Sequence, residues 1–272
     1  MTTPALPVPM DLAARLVGTP LLLLLDIDGT LTPIAATPAA AVVSEHARDS
    51  LDELTVAGGV HVAIVTGRSV EDARRLVGVT GAWYIGNHGI EAAAPGEEPN
   101  VPGEVAQFRH PVEVAAARLA QLIRGVPGTI LENKRWTLSV HYRLAERDAL
   151  PELGHRVRKI ARELELDVTG GKEVFELRPP VRINKGTAAV ALAMRLGALN
   201  HGASILCAGD DETDEDMLRA VRGRAPTSVT VAVEPVLHAR PTSAEFFVGS
   251  PKEMLELLDA VLALRTAAAR RA

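Results

Sequence analysis

The chain is poor in several things, and each shortage removes a class of protein. A single cysteine, Cys207, excludes an internal disulfide and any CxxC metal site. It sits in "SILCAG", where it reads as a small apolar core residue, and a cytoplasmic setting is expected. Aromatic residues make up only 3% of the 272, so packing has to rest on Leu, Val, Ile and Ala. Positive charge is in deficit as well. The formal net charge of −5 argues against a general nucleic-acid binder, which would show a basic surface. Long apolar runs are also missing. The strongest, Leu21 to Leu25, is stopped by Asp26, far short of the ~20 residues that a membrane helix needs. The stretch before it carries Asp11 and one basic residue, Arg15, unlike the positive start of a secretory signal. A soluble protein with no membrane partner is expected.

What is present is ordinary globular material, 47% hydrophobic and 23% charged, enough for one large domain or a core with an insert. "LLLLL", preceded by Gly18 and Pro20, reads as a strand buried on both faces. A helical pattern runs from Ala41 to Val56, closed by Gly58 and Gly59. "VHVAIVTGR" is a second strand, "SVEDARRLVG" a helix capped by Ser69, and "AWYIGNHG" a third strand. This alternation predicts a parallel sheet with right-handed crossovers.

The rhythm breaks at Glu91 to Gly103, rich in Pro, Gly and Glu. Beyond it the pattern is helix (Pro111 to Arg124), two paired strands ("TILENKR", "WTLSVHYR"), helix (Asp148 to Leu164), and a hairpin turning at Gly170 and Gly171. After Pro179 and Pro180 the first pattern returns, through "NKGTAAVALAMRLGA", "SILCAGDDETDEDM", "SVTVAV" and a closing helix from Pro251 to Leu264. The expected fold class is therefore α/β: a doubly wound, mostly parallel, Rossmann-type core (1–105 and 179–272) interrupted by a smaller α+β module (106–178).

In open parallel sheets, ligands bind outside the carboxyl ends of the strands. Four apolar strands here end in polar residues: Asp26 and Asp28, Thr66 and Arg68, Asn87 and His88, and Asp210, Asp211 and Asp214. Each group has a plainer reading taken by itself. "DIDGT" is a turn, "TGR" a turn with a surface arginine, "GDDETDED" an acidic helix start, and Lys185 a surface lysine after the capping Asn184. All four together, at strand ends, favour a site.

Acids gathered on one rim repel one another and want a cation between them. A hard divalent cation such as Mg²⁺ suits carboxylate and phosphate oxygens, and with no Cys/His cluster zinc does not fit. A carboxylate beside such a cation can attack phosphorus, and a second acid can protonate the leaving oxygen and then activate water. A hydroxyl and an ammonium group should cradle the phosphoryl group, and Thr66 and Lys185 are the candidates.

"DIDGTL", "TGR", Lys185 in "NKG" and "GDDETD" resemble, in order, the four motifs of the haloacid dehalogenase-like (HAD-like) phosphatase superfamily. "GNHG" with Glu91, "ENK", "HYR", "GKEVFELRP" and "GDDETDED" narrow this, and together resemble the trehalose-6-phosphate phosphatase family from about Leu22 to Met217. The inserted module then resembles that family's cap.

The resemblance implies Asp26 as nucleophile, Asp28 as general acid/base, and Thr66 and Lys185 on the phosphoryl group. It implies Mg²⁺ held by the Asp26 carboxylate, the Asp28 backbone carbonyl and Asp210, with Asp214 in support. Gly67, Arg68, Asn87 and His88 would complete the phosphoryl side, His88 shaping a loop rather than acting as a base. In the cap, Glu132, Lys134, Lys172 and Glu176 would grip a disaccharide, with His141 and Arg143 beside them; salt-bridged decoration of a sheet face is the plainer alternative. Lys172 and Glu176, four apart, are expected on one strand face, as are His141 and Arg143. Thr66 stands where many members have Ser, and the hydroxyl is kept. The implied reaction is hydrolysis of trehalose 6-phosphate by a monomer that uses the product of a separate trehalose-phosphate synthase. Related phosphatases of sucrose phosphate, glucosyl-3-phosphoglycerate or mannosyl-3-phosphoglycerate, or a non-catalytic sugar-phosphate sensor, are the alternatives.

Overall fold

The computed structural model describes residues 6–9, 12–35, 37–171, 173–225, 227–233 and 242–269. It divides into two compact units, Met1–Asn100 with Ile183–Ala272, and Val101–Arg182. The sequence reading puts the junctions a few residues further inside the second unit.

In chain order the strands are β1 (Leu6–Pro7), β2 (Leu21–Leu25), β3 (Val60–Val65), β4 (Trp83–Gly86), β5 (Glu91–Ala93), β6 (Ile130–Asn133), β7 (Leu138–His141), β8 (Asp167–Gly171), β9 (Val174–Arg178), β10 (Ser204–Gly209), β11 (Val229–Val233) and β12 (Phe246–Val248). The helices are α1 (Glu45–Val56), α2 (Val70–Val77), α3 (Gly103–Ala106), α4 (Arg109–Ile123), α5 (Leu150–Glu163), α6 (Lys185–Arg195), α7 (Glu212–Arg224) and α8 (Pro251–Ala269).

The first unit holds one eight-stranded sheet in the order β1-β12-β11-β10-β2-β3-β4-β5. All neighbours are parallel except β4 and β5. The α/β, HAD-like class expected from the sequence is what the chain adopts. β2 lies inside the sheet between β10 and β3, and five leucines in a row let it be covered on both faces. Leu21, Leu23 and Leu25 pack with Leu51, Leu54 and Val70 on one face. Leu22 and Leu24 pack with Leu192, Met217 and Leu218 on the other. All five are 0% exposed, and burial at that level stabilises by roughly 1.5–3 kcal/mol per leucine.

Local chemistry sets the helix starts. Ser44 accepts from Ala47 N, so α1 begins at Glu45 rather than at the expected Ala41. Ser69 accepts from Asp72 N and starts α2, which Gly78 ends in the left-handed region at φ 76°. Beyond the expected strands, Glu91–Ala93 turns back as β5, antiparallel to β4. Among the described residues no helix is long and apolar enough to cross a membrane.

The second unit is an antiparallel sheet in the order β6-β7-β9-β8 backed by α4 and α5. Leu138, Val140 and Leu177 meet Val112, Ala115 and Leu119 of α4 and Leu153, Val157 and Ile160 of α5. Period-2 alternation puts Glu132, Ser139 and Glu176, which are register partners, on the opposite face. Two expectations fail here. β8 runs through Gly170 and Gly171, so the hairpin turns after them; the pair closes on Gly171 opposite Val174. β7 stops at His141, so Arg143 lies beyond the strand and does not share its face.

Candidate active site

Register brings the strand ends together. Leu25 pairs with both Ala208 and Ile64, and Val65 pairs with Ile85. Asp26, Thr66, Asn87 and Asp210, the first residues past four parallel strands, therefore leave the sheet on one rim. Asp26 N still donates to Ala208 O at 3.1 Å, and Thr66 N to Ile85 O at 2.9 Å.

At the centre Lys185 is 2% exposed, and its Nζ donates to Asp26 Oδ1 at 2.9 Å and to Asp214 Oδ1 at 2.8 Å. Lys185 is the first residue of α6. Its backbone is fixed by Asn184, which accepts from Thr187 N and whose Nδ2 donates to Asp216 Oδ2 at 3.1 Å. Burial alone would push the Lys185 ammonium down, but Asp214 and Asp26 hold it well above the ordinary value. The lysine stays charged. Asp26 is also raised, but here burial is the cause: it lifts the carboxyl from 3.8 to about 7 against the pull of Lys185, with Asp210 and Asp211 adding to the rise. Asp214 is likewise raised, by burial first and then by Asp26. Asp211 is held below its ordinary value, since Lys185 and bonds from Thr213 and Asp214 outweigh its burial.

Asp26, Asp210 and Asp214 each bring an oxygen within 4.8 Å of the others. An all-carboxylate donor set of this kind fits a hard divalent cation. Asp214 is differently placed from the other two. Its Oδ1 accepts from Lys185, and its Oδ2 accepts from Asp210 N and Asp211 N at 3.0 and 3.1 Å. It anchors the Asp210 loop from below. Gly209 makes this possible, because a Cβ there would lie 2.3 Å from Asp214 Cβ. Gly29, at φ +88°, does the same for Asp210: a Cβ would stand 2.3 Å from Asp210 Oδ2.

The carboxylate of Asp28 is outside that cluster and is gripped by Arg68. Nε donates to Asp28 Oδ2 at 2.6 Å, Nη2 to Asp28 Oδ1 at 2.7 Å, and Nη1 to Asp72 Oδ2 at 2.7 Å. Burial would lower Arg68, but these bonds raise it. Thr66 is 2% exposed and its hydroxyl accepts from Arg68 N at 3.2 Å. His88 packs so closely on Gly67 that a Cβ there would be 2.5 Å from the ring. Asn87 and His88 have φ of 49° and 56°, a conformation supported by Asn87 N donating to Arg68 O and His88 N to Thr66 O. Buried Glu91 accepts from Val70 N and Asn87 Nδ2, both at 2.7 Å, tying that loop to the start of α2.

In the second unit, Lys134 Nζ and Glu176 Oε1 are 3.6 Å apart with both side chains largely shielded, and His141 Nε2 meets Glu132 Oε2 at 2.9 Å. Arg143, half exposed, bonds Glu173 instead. Lys172 lies outside the described residues.

Asp72 and Asn184 support the site without having been singled out as site residues, and Asp211, named at its strand end, was given no role there. Asp72 does carry a signal, standing four residues after Arg68 on the first turn of α2. Asp211 looks in sequence like any helix cap, which it also is.

The family model described as trehalose-phosphatase matches residues 24–252. A trehalose-phosphate phosphatase of Mycobacterium avium (strain 104) is 36% identical over 236 residues, covering 86% of this chain and 60% of that protein. The chain thus spans less than two thirds of the length of the curated relatives it matches. Among solved structures, a trehalose-6-phosphate phosphatase related protein gives a TM-score of 0.79 at 26% identity, covering 90% of this chain and 99% of the other. The C-terminal domain of C. albicans trehalose-6-phosphate phosphatase gives 0.77 at 28% identity, covering 96% and 99%. The family match runs from within β2 to the start of α8 and takes in the whole Asp26, Lys185 and Asp210 cluster: this chain belongs to the trehalose-phosphatase family.

Proposed function

We propose that the chain hydrolyses trehalose 6-phosphate to trehalose and phosphate. The observation that carries this reading is the buried Lys185 ammonium set against Asp26 at the carboxyl end of the central strand, in a chain of this family.

Asp26 Oδ attacks phosphorus, the bond from phosphorus to the sugar oxygen breaks, and Asp28 supplies the proton which that oxygen takes. The product is an aspartyl-phosphate. Water then attacks the same phosphorus, gives a proton to Asp28, and restores Asp26. Thr66, the Gly67 backbone and Lys185 receive the phosphoryl oxygens, with Asn87 and His88 fixing the Gly67 loop. Mg²⁺ would be held by the Asp26 carboxylate, the Asp28 backbone carbonyl and Asp210, anchored by Asp214, and when bound it would draw charge from the phosphoryl oxygens. The charged sheet face of the second unit, Glu132, Lys134, His141 and Glu176 with Arg143 and Lys172 nearby in sequence, selects the sugar through its hydroxyls. A separate trehalose-phosphate synthase supplies the substrate.

The test is phosphate release from a panel of phosphorylated sugars with Mg²⁺. Trehalose 6-phosphate should be turned over far faster than sucrose phosphate, the sugar-3-phosphoglycerates and monosaccharide phosphates; equal turnover across the panel would sink the specific claim. Asp26→Asn should abolish release while the sugar phosphate still binds.

A further inference from the structure

Arg68 sits in the phosphoryl-side motif, where a cation would be assigned to substrate, yet three of its nitrogens are committed within the protein. Two go to Asp28 and one to Asp72. The guanidinium side chain is 8% exposed, while Asp28 is 37% exposed. An exposed aspartate on a turn has several rotamers open to it. A buried, forked guanidinium takes both of its oxygens and fixes their plane as well as their distance. Asp72 in turn fixes the guanidinium to the first turn of α2, where it also meets Arg75. From these contacts we infer that Arg68 is a positioning residue that holds the Asp28 carboxylate for proton transfer, and not a ligand of the phosphoryl group.

The inference rests on the acid/base reading of Asp28. A forked pair suits that task because one bond can open toward the leaving oxygen while the other keeps the carboxylate in place. In the step affected, the Asp26 Oδ–phosphorus bond forms and the phosphorus–oxygen bond breaks. The proton on Asp28 moves to that oxygen. A poor leaving group such as a sugar alkoxide needs this proton, and p-nitrophenolate needs it far less.

The test compares trehalose 6-phosphate with p-nitrophenyl phosphate in single-turnover experiments with Mg²⁺, reading leaving-group release in the full chain. Arg68→Met should slow the sugar ester by about 30-fold or more, and the aryl ester by about tenfold less than that. Half-saturating substrate should move by less than about threefold, because no substrate contact is lost. In an Asp28→Asn background, Arg68→Met should add less than about twofold, the two residues acting as one unit. Arg68→Lys should rescue little, since a point charge does not make a fork. Asp72→Asn, which leaves the fork but frees its base, should show the same leaving-group preference more weakly and guards against a folding loss in Arg68→Met. Equal losses on both esters, or half-saturation raised about tenfold or more, would overturn the inference in favour of a substrate or purely structural role. Selective loss in Asp28→Asn without any in Arg68→Met overturns the inference alone. Equal loss on both esters in Asp28→Asn overturns the acid/base reading, and the inference with it.

Discussion

Lys185 Nζ lies 2.9 Å from Asp26 Oδ1, and both side chains are almost wholly withdrawn from water. The same ammonium serves Asp214, so one cation balances two buried carboxylates. Removing it leaves both uncompensated. Lys185→Met should cost about 3–5 kcal/mol of stability at neutral pH, the range for breaking a buried ion pair by deleting one partner. Denaturant unfolding checks this. The deficit should shrink on acidification, because two unpaired buried acids take up protons more readily in the folded state than in the unfolded one. A deficit that grows as pH falls would contradict the assignment.

Gly29 and Gly78 share a left-handed backbone but not their surroundings. A Cβ at Gly29 would strike Asp210 Oδ2 at 2.3 Å, whereas at Gly78 the nearest atom, in the Arg48 side chain, is 3.8 Å away. Both Gly→Ala changes should cost about 1–2 kcal/mol for the strained backbone. Only Gly29→Ala should also displace Asp210, cutting turnover by about tenfold or more and weakening divalent-cation binding. Melting curves and phosphate-release rates on the two variants separate the effects.

The central strand and its acids are legible in sequence because five leucines admit no exposed face, and the acids that end the run must leave the sheet. Lys185 is legible only through its place in a motif, since nothing local tells a buried helix-start lysine from a surface one. The Arg68–Asp28 fork spans 40 residues and depends on rotamers that no local pattern encodes. β5 hides in a segment whose Pro and Gly content reads as loop; its pairing comes from β4, not from its own propensity. The Gly170–Gly171 pair looks like a turn because glycine suits turns, but tertiary pairing with β9 extends β8 through both.

On the second unit's sheet, Glu176 has Lys134 as its partner at 3.6 Å, and register places it across from Ser139. If this face reads sugar hydroxyls, Glu176→Gln keeps the size and loses the charge-assisted bonds. Half-saturation by trehalose 6-phosphate should then rise about tenfold more than by p-nitrophenyl phosphate, as expected for losing about 1.5–3 kcal/mol of bonding to a charged group. Parallel steady-state curves for the two substrates decide it. An equal rise for both would return the pair to a structural role.

If Asp26 is a ligand of the divalent cation, proton and cation compete there. Its carboxyl stands at about 7 in the cation-free fold against an ordinary 3.8, so between those values the folded state holds a proton that the unfolded chain has released. The stability this contributes is complete below 3.8 and is lost as pH rises through about 7. Wild type without divalent cation should therefore lose stability relative to Asp26→Asn across that window and level off above it. Mg²⁺ should act in the opposite sense. Binding displaces the proton, so the apparent affinity should weaken by up to about tenfold for each unit of pH below 7, and the rise in melting temperature at fixed Mg²⁺ should be greater at higher pH. Thermal melts of both chains at several pH values, with Mg²⁺ and with a chelator, measure both slopes. A Mg²⁺ stabilisation that is flat with pH, or that survives unchanged in Asp26→Asn, would remove Asp26 from the cation's ligands.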